Sequence, residues 1–132
     1  MQTRILVVDD DQELLAVLKV QLSERGFEVA AATTGTEAFE KVDAFCPHLV
    51  LLDLILPGTD GIVLCEKLKQ HPKTSSVPII LMTGISSQMV RYNAFESGAD
   101  AYLAKPFDPG SLLEKIEVLL YKADTPTASD RN

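Results

Sequence analysis

Basic blocks, long apolar runs and clustered cysteines are all missing from these 132 residues. Lys and Arg number 12 against 19 Asp and Glu, a formal charge of −7, and the positive residues nowhere gather into a block. Direct nucleic-acid contact by this chain, which relies on a positive stripe facing the phosphates, is disfavoured. No apolar stretch approaches the ~20 residues that span a bilayer. Met1-Gln2-Thr3-Arg4 leads straight into a strand without the apolar core of a secretory signal. A cytoplasmic chain with no membrane contact is the expectation. Cys46 and Cys65 are too few and too far apart for a disulfide framework or a zinc site, and read as small core or near-surface hydrophobes. His48 and His71 lack a partner at metal-ligand spacing and read as structural or solvated.

What the chain does have is 46% apolar content, enough for one proper core, and a repeated arrangement of that content. Ile5-Leu6-Val7-Val8 ends on Asp9-Asp10, Leu49-Val50-Leu51-Leu52 on Asp53, Ile79-Ile80-Leu81-Met82 on Thr83, and Ala101-Tyr102-Leu103-Ala104 on Lys105. Short runs of this kind, bounded by turn residues, read as strands buried on both faces of a parallel sheet. Their C-terminal ends then share one edge, where ligands bind in open α/β sheets.

Segments of helical spacing separate the runs. Leu14, Leu15, Leu18 and Leu22 form one helix face that stops near Gly26, and residues 27–32 follow as a further strand. Thr34 and Glu37 have capping-box spacing ahead of Ala38, Val42 and Phe45. Residues 57–61 read as a turn, with Asp60 capping a helix that carries Ile62, Cys65 and Leu68 inward. A helix over residues 87–97 has a thin apolar face and ends at Gly98, suited to the left-handed position. Asp108 and Pro109 open the last helix, whose stripe is Leu112, Leu113, Ile116, Leu119 and Leu120. The βα unit thus occurs five times, predicting a doubly wound, five-stranded parallel α/β sheet with five helices. One domain over residues 1–122 is expected, with 123–132 a flexible tail or the start of a linker.

Asp9, Asp10 and Asp53 repel one another unless a cation neutralises them, and Mg²⁺ prefers such carboxylates together with a carbonyl, waters and a phosphate oxygen. Taken singly, an Asp after a strand is more often a helix N-cap, the role expected of Asp11. A carboxylate can also be the nucleophile in phosphoryl transfer, if a metal and a cation spread the charge on the phosphoryl oxygens. Asp53, at the central strand's end, has the position for this. Lys105 would pair with the phosphate and Thr83 would hydrogen-bond one of its oxygens. Alternatively, Lys105 is simply solvated and Thr83 caps the next turn.

Four stretches, residues 5–11, 53–61, 82–84 and 98–107, resemble in order and spacing the receiver domain of two-component response regulators, the CheY-like family. The resemblance covers residues 3 to 122 and implies the flavodoxin-like strand order 2-1-3-4-5. It implies that Asp53 is the phospho-acceptor, that Asp10 and Asp53 hold Mg²⁺ directly and Asp9 through water, and that the Ile55 main-chain carbonyl is the third protein ligand. Thr83 and Tyr102 are the implied switch pair, and the Lys105–Pro106 bond is expected to be cis. The apolar Ile55 side chain beside the phosphate is expected to slow water attack.

The implied partners are a histidine kinase or histidine phosphotransfer protein upstream and an effector domain or protein downstream. The implied output surface is the fourth helix, fifth strand and fifth helix. Some relatives dimerise through that face by ion pairs. Arg91, Glu96, Asp100, Lys115 and Lys122 suit part of such a network, whereas Ser97, Ser111 and Glu117 depart from it. Two other readings compete with signalling. An aspartyl-phosphate hydrolase on a similar fold needs an acid two residues after its nucleophile, where this chain has Ile55. A phosphate-independent docking module would lack part of the pocket, and no pocket residue is lacking.

Overall fold

The computed structural model describes residues 2–85 and 87–124. In chain order the elements are β1 (Arg4–Val8), α1 (Gln12–Glu24), β2 (Glu28–Ala32), α2 (Gly35–Phe45), β3 (Leu49–Asp53), β4 (Ile55–Leu56) and β5 (Thr59–Asp60). There follow α3 (Gly61–Gln70), β6 (Ile79–Thr83), α4 (Gln88–Glu96), β7 (Ala101–Ala104) and α5 (Pro109–Asp124). The main sheet has the order β2-β1-β3-β6-β7, and every pairing in it is parallel. With the two-residue strands β4 and β5 set aside, that is the expected 2-1-3-4-5, flavodoxin-like order.

Alternation along each strand sends side chains to two cores. Leu6, Val8, Leu52 and Leu81 pack with Val42, Leu64, Leu68 and Ala94 on the face covered by α2, α3 and α4. Ile5, Val7, Leu51 and Met82 pack with Leu15, Leu18, Leu22, Leu112 and Ile116 on the face covered by α1 and α5. Strands covered on both sides have no polar face, which is why these runs are apolar throughout. At ~25 cal/mol per Å² of apolar area removed from water, each fully buried Leu or Ile contributes roughly 2 kcal/mol.

Side-chain caps start all five helices, four of them at the residue the sequence predicts and α4 at Ser87, which the sequence did not mark as a cap. Asp11 accepts from the Glu13 and Leu14 N–H groups, Thr34 from Glu37, Asp60 from Ile62, Ser87 from Val90 and Asp108 from Ser111. The capping box differs in detail: Glu37 reaches back to the N–H of Thr33, one residue before the cap. Leu14 lies at the margin of the α1 face, with Leu15, Leu18 and Leu22 fully inward. Ala94 is the single buried residue of α4, so its inward face is as thin as expected. Gly98 has φ +101, the left-handed turn that carries the chain from α4 into β7.

Two boundaries differ from expectation. The turn expected over residues 57–61 is part of a small antiparallel hairpin that begins two residues earlier, with Ile55 paired to Asp60 and Leu56 to Thr59. The last helix continues through Asp124, two residues into the expected tail, and residues 125–132 lie outside the described residues. His48 is structural, its Nδ1 accepting the Arg4 N–H at 2.9 Å. Cys65 is buried and Cys46 exposed. Among the described residues, no helix is long and apolar enough to cross a membrane.

Candidate functional site at the sheet's carboxyl edge

Parallel register brings the strand-ending residues together. Val8 lies opposite Leu52, Asp53 opposite Met82 and Thr83 opposite Ala104, so Asp9, Asp53, Thr83 and Lys105 stand along one edge. Asp9 is 0%, Thr83 1% and Asp53 7% exposed, whereas Asp10 is open to solvent. Carboxylate oxygens of Asp9, Asp10 and Asp53 all lie within 4.8 Å of one another.

Each buried carboxylate is held at both oxygens. Asp9 Oδ1 accepts the Asp11 N–H at 2.9 Å, and its Oδ2 lies 2.6 Å from Lys105 Nζ. Asp53 Oδ1 accepts the Ile55 N–H at 3.1 Å, and its Oδ2 lies 3.2 Å from the same ammonium. Burial pushes the Asp53 carboxyl above its ordinary value of 3.8; the Ile55 N–H opposes this, the negative charge of Asp9 adds to it, and Lys105 pulls back. Burial alone would lower Lys105, but its bond to Asp9 and the charges of both aspartates outweigh that and hold it above 10.5. One ammonium therefore pairs with two of three clustered carboxylates. The remaining negative charge and hard oxygen donors, with no thiolate or imidazole among them, suit a hard divalent cation.

The hairpin fixes the wall beside Asp53. Gly61 donates its N–H to the Leu54 carbonyl at 2.7 Å, and a Cβ at Gly61 would lie 2.5 Å from the Leu54 Cα and carbonyl oxygen. Only glycine fits at that approach. On the same strand Ile55 turns its N–H to Asp53, and the residue is 56% exposed.

Of the sequence-predicted residues, Tyr102 stands apart from the aspartates. Its hydroxyl donates to the Ile85 carbonyl at 2.7 Å, while the Ile85 N–H donates to Thr83 Oγ1 at 3.0 Å. Ile85 thus links the two through its backbone, a role that carries no side-chain signal in a sequence. The Lys105–Pro106 peptide is cis, as the resemblance implied. On the face made by α4, β7 and α5, Asp100 is occupied within the chain. Its Oδ2 lies 2.8 Å from Lys69 Nζ and accepts the Ile79 N–H at 2.9 Å.

Comparison with known proteins agrees with this geometry. The family described as the response regulator receiver domain matches residues 5–117. The phosphate regulon transcriptional regulatory protein PhoB of Rhizobium meliloti is 37% identical over 123 residues, covering 93% of this chain and 54% of that protein. The transcriptional regulatory protein SrrA of Staphylococcus aureus is 38% identical over 127 residues, covering 96% of this chain and 52% of that protein. The chain spans about half the length of these curated relatives. The crystal structure of a CheY-like receiver domain protein from Methanospirillum hungatei JF-1 matches with a TM-score of 0.88 at 35% identity, covering 94% of this chain and 98% of that one. Fold order, strand-end chemistry and family match coincide, and the chain belongs to the response regulator receiver domain family.

Proposed function

We propose that this chain is the phospho-acceptor module of a cytoplasmic two-component pathway, taking a phosphoryl group onto Asp53 from a histidine kinase or histidine phosphotransfer protein. The observation that carries the reading is the Lys105 ammonium bridging two buried carboxylates, Asp9 and Asp53, at 2.6 and 3.2 Å beside a third acid. Mg²⁺ is the ion this donor set suits, with Asp10, Asp53 and the Ile55 carbonyl as its protein ligands and Asp9 acting through water. When bound, it supplies charge neutralisation for the phosphoryl oxygens.

A carboxylate oxygen of Asp53 attacks the donor's phosphorus, the P–N bond of the phosphohistidine breaks, and its electron pair returns to the imidazole. Lys105, ionised throughout, shifts its contact from Asp53 toward the phosphoryl oxygens. The Thr83 hydroxyl, held by the Ile85 N–H, donates its own proton to a phosphoryl oxygen. The chain thereby promotes its own phosphorylation and later hydrolysis. No side-chain acid stands two residues beyond Asp53, which supports a stored phosphoryl group over rapid turnover.

The added charge of ~1.5 to 2 units and its acceptor oxygens favour whichever conformation offers donors best. Thin packing makes α4 the element most easily moved, and α4, β7 and α5 form the surface offered to an effector. Association of two copies there would have to proceed without Asp100, which Lys69 already holds.

Incubation with a small phosphoryl donor and Mg²⁺, followed by intact mass measurement, tests the reading. A gain of one phosphoryl group, absent when the metal is chelated, is expected. No gain with metal present contradicts it.

A further inference from the structure

Arg91 is a charged residue on α4 for which, among the described residues, no carboxylate lies within ion-pair distance. Its guanidinium carbon instead stands 5.7 Å from the centroid of the Tyr102 ring. That ring is half-buried, packs as Val90 does against the core cluster that includes Ala94, and ends in the hydroxyl bonded to the Ile85 carbonyl. Three contacts thus hold the tyrosine: core packing on its body, a hydrogen bond at its tip and a cation over its face.

The consequence runs through one residue. With Tyr102 docked, the Ile85 carbonyl is engaged, and the Ile85 N–H points at Thr83 Oγ1. A hydroxyl that accepts an N–H keeps its own proton to donate. The docked tyrosine therefore goes with a Thr83 hydroxyl already set to donate to an anion held at Asp53. A residue favouring the docked ring favours anion binding, and by reciprocity the anion favours the docked ring.

We propose that Arg91 is a positioning residue for this switch, holding Tyr102 docked by its cation over the ring and so biasing the site, through Ile85, toward phosphoryl binding. The inference rests on the phospho-acceptor reading above. An exposed guanidinium over an aromatic ring is worth enough to change a two-state ratio by about two- to fivefold.

The test uses the full chain labelled with fluorotyrosine, its Tyr102 signal assigned with Tyr102→Phe, and beryllofluoride with Mg²⁺ as the phosphoryl mimic. Arg91→Ala is expected to shift the Tyr102 fluorine resonance without the mimic, leave Tyr121 unmoved, and weaken mimic binding about two- to fivefold. Arg91→Lys, which keeps a cation over the ring, restores most of both effects. An unmoved Tyr102 resonance in Arg91→Ala overturns the proposal. An effect that disappears on dilution also overturns it, because Arg91 would then act between copies. If the wild type fails to bind the mimic while Arg91→Ala still shifts Tyr102, the phospho-acceptor reading falls and the docking role of Arg91 stands.

Discussion

Lys105 shows how a single side chain organises this site, since its ammonium engages Asp9 more closely than Asp53. Asp53 itself is strained electrostatically: burial and the neighbouring Asp9 charge raise its carboxyl above 3.8. A folded-state value above the unfolded one means the folded chain binds that proton more tightly. The associated stability is complete below pH 3.8 and is lost as pH rises through the folded value. Near neutral pH without divalent metal, Asp53→Asn should therefore melt at a higher temperature than wild type, and the difference should shrink as pH falls toward 4. Thermal unfolding in chelator across that range checks both parts. An Asp53→Asn variant that melts lower at neutral pH contradicts the electrostatic description. Asp9, Asp10, Asp53, Thr83 and Lys105 were legible in the sequence because each closes an apolar run. The preference of Lys105 for Asp9 was not, because it depends on side-chain reach across a sheet. Neither was the part played by Ile85, which acts through main-chain atoms.

Among the elements, the hairpin formed by β4 and β5 matters most to the site and was the least legible. Two-residue strands are too short to carry periodicity, and Pro57, Gly58 and Gly61 read only as a turn. The helices were readable because their starts are marked by side-chain caps, and the strands because double-sided burial leaves no polar positions. Gly61→Ala places a methyl 2.5 Å from the Leu54 backbone, so it should destabilise the fold by about 2 kcal/mol or more and lower Mg²⁺ affinity. Urea unfolding and calorimetric titration with Mg²⁺ measure the two effects separately. At the start of the same hairpin, two residues after Asp53, Ile55 is a large apolar residue left exposed. Ile55→Asn should shorten the lifetime of the phosphorylated form, as followed by the decay of its added mass. Equal lifetimes would remove Ile55 from the control of water attack.

For the molecule as a whole, an ion held by the acidic edge would couple its binding to folding. An ion that binds only the folded chain stabilises it by RT ln(1 + [L]/Kd), about 2.7 kcal/mol at one hundred times Kd, which corresponds to a rise of several degrees. Mg²⁺ should therefore raise the melting temperature of wild type and do so much less for Asp10→Asn. Equal shifts in the two proteins would place the ion elsewhere. The global fold followed from five apolar runs alternating with amphipathic segments, while the strand order rested on the family resemblance and is seen directly in the sheet. Whether the Asp53 side chain is the acceptor can be measured directly. After phosphorylation, borohydride reduction converts an aspartyl phosphate to homoserine, and peptide fragmentation then locates the altered residue. Homoserine is expected at position 53 and nowhere else; an unmodified Asp53, or conversion at Asp9 or Asp10 instead, would rule out Asp53 as the acceptor.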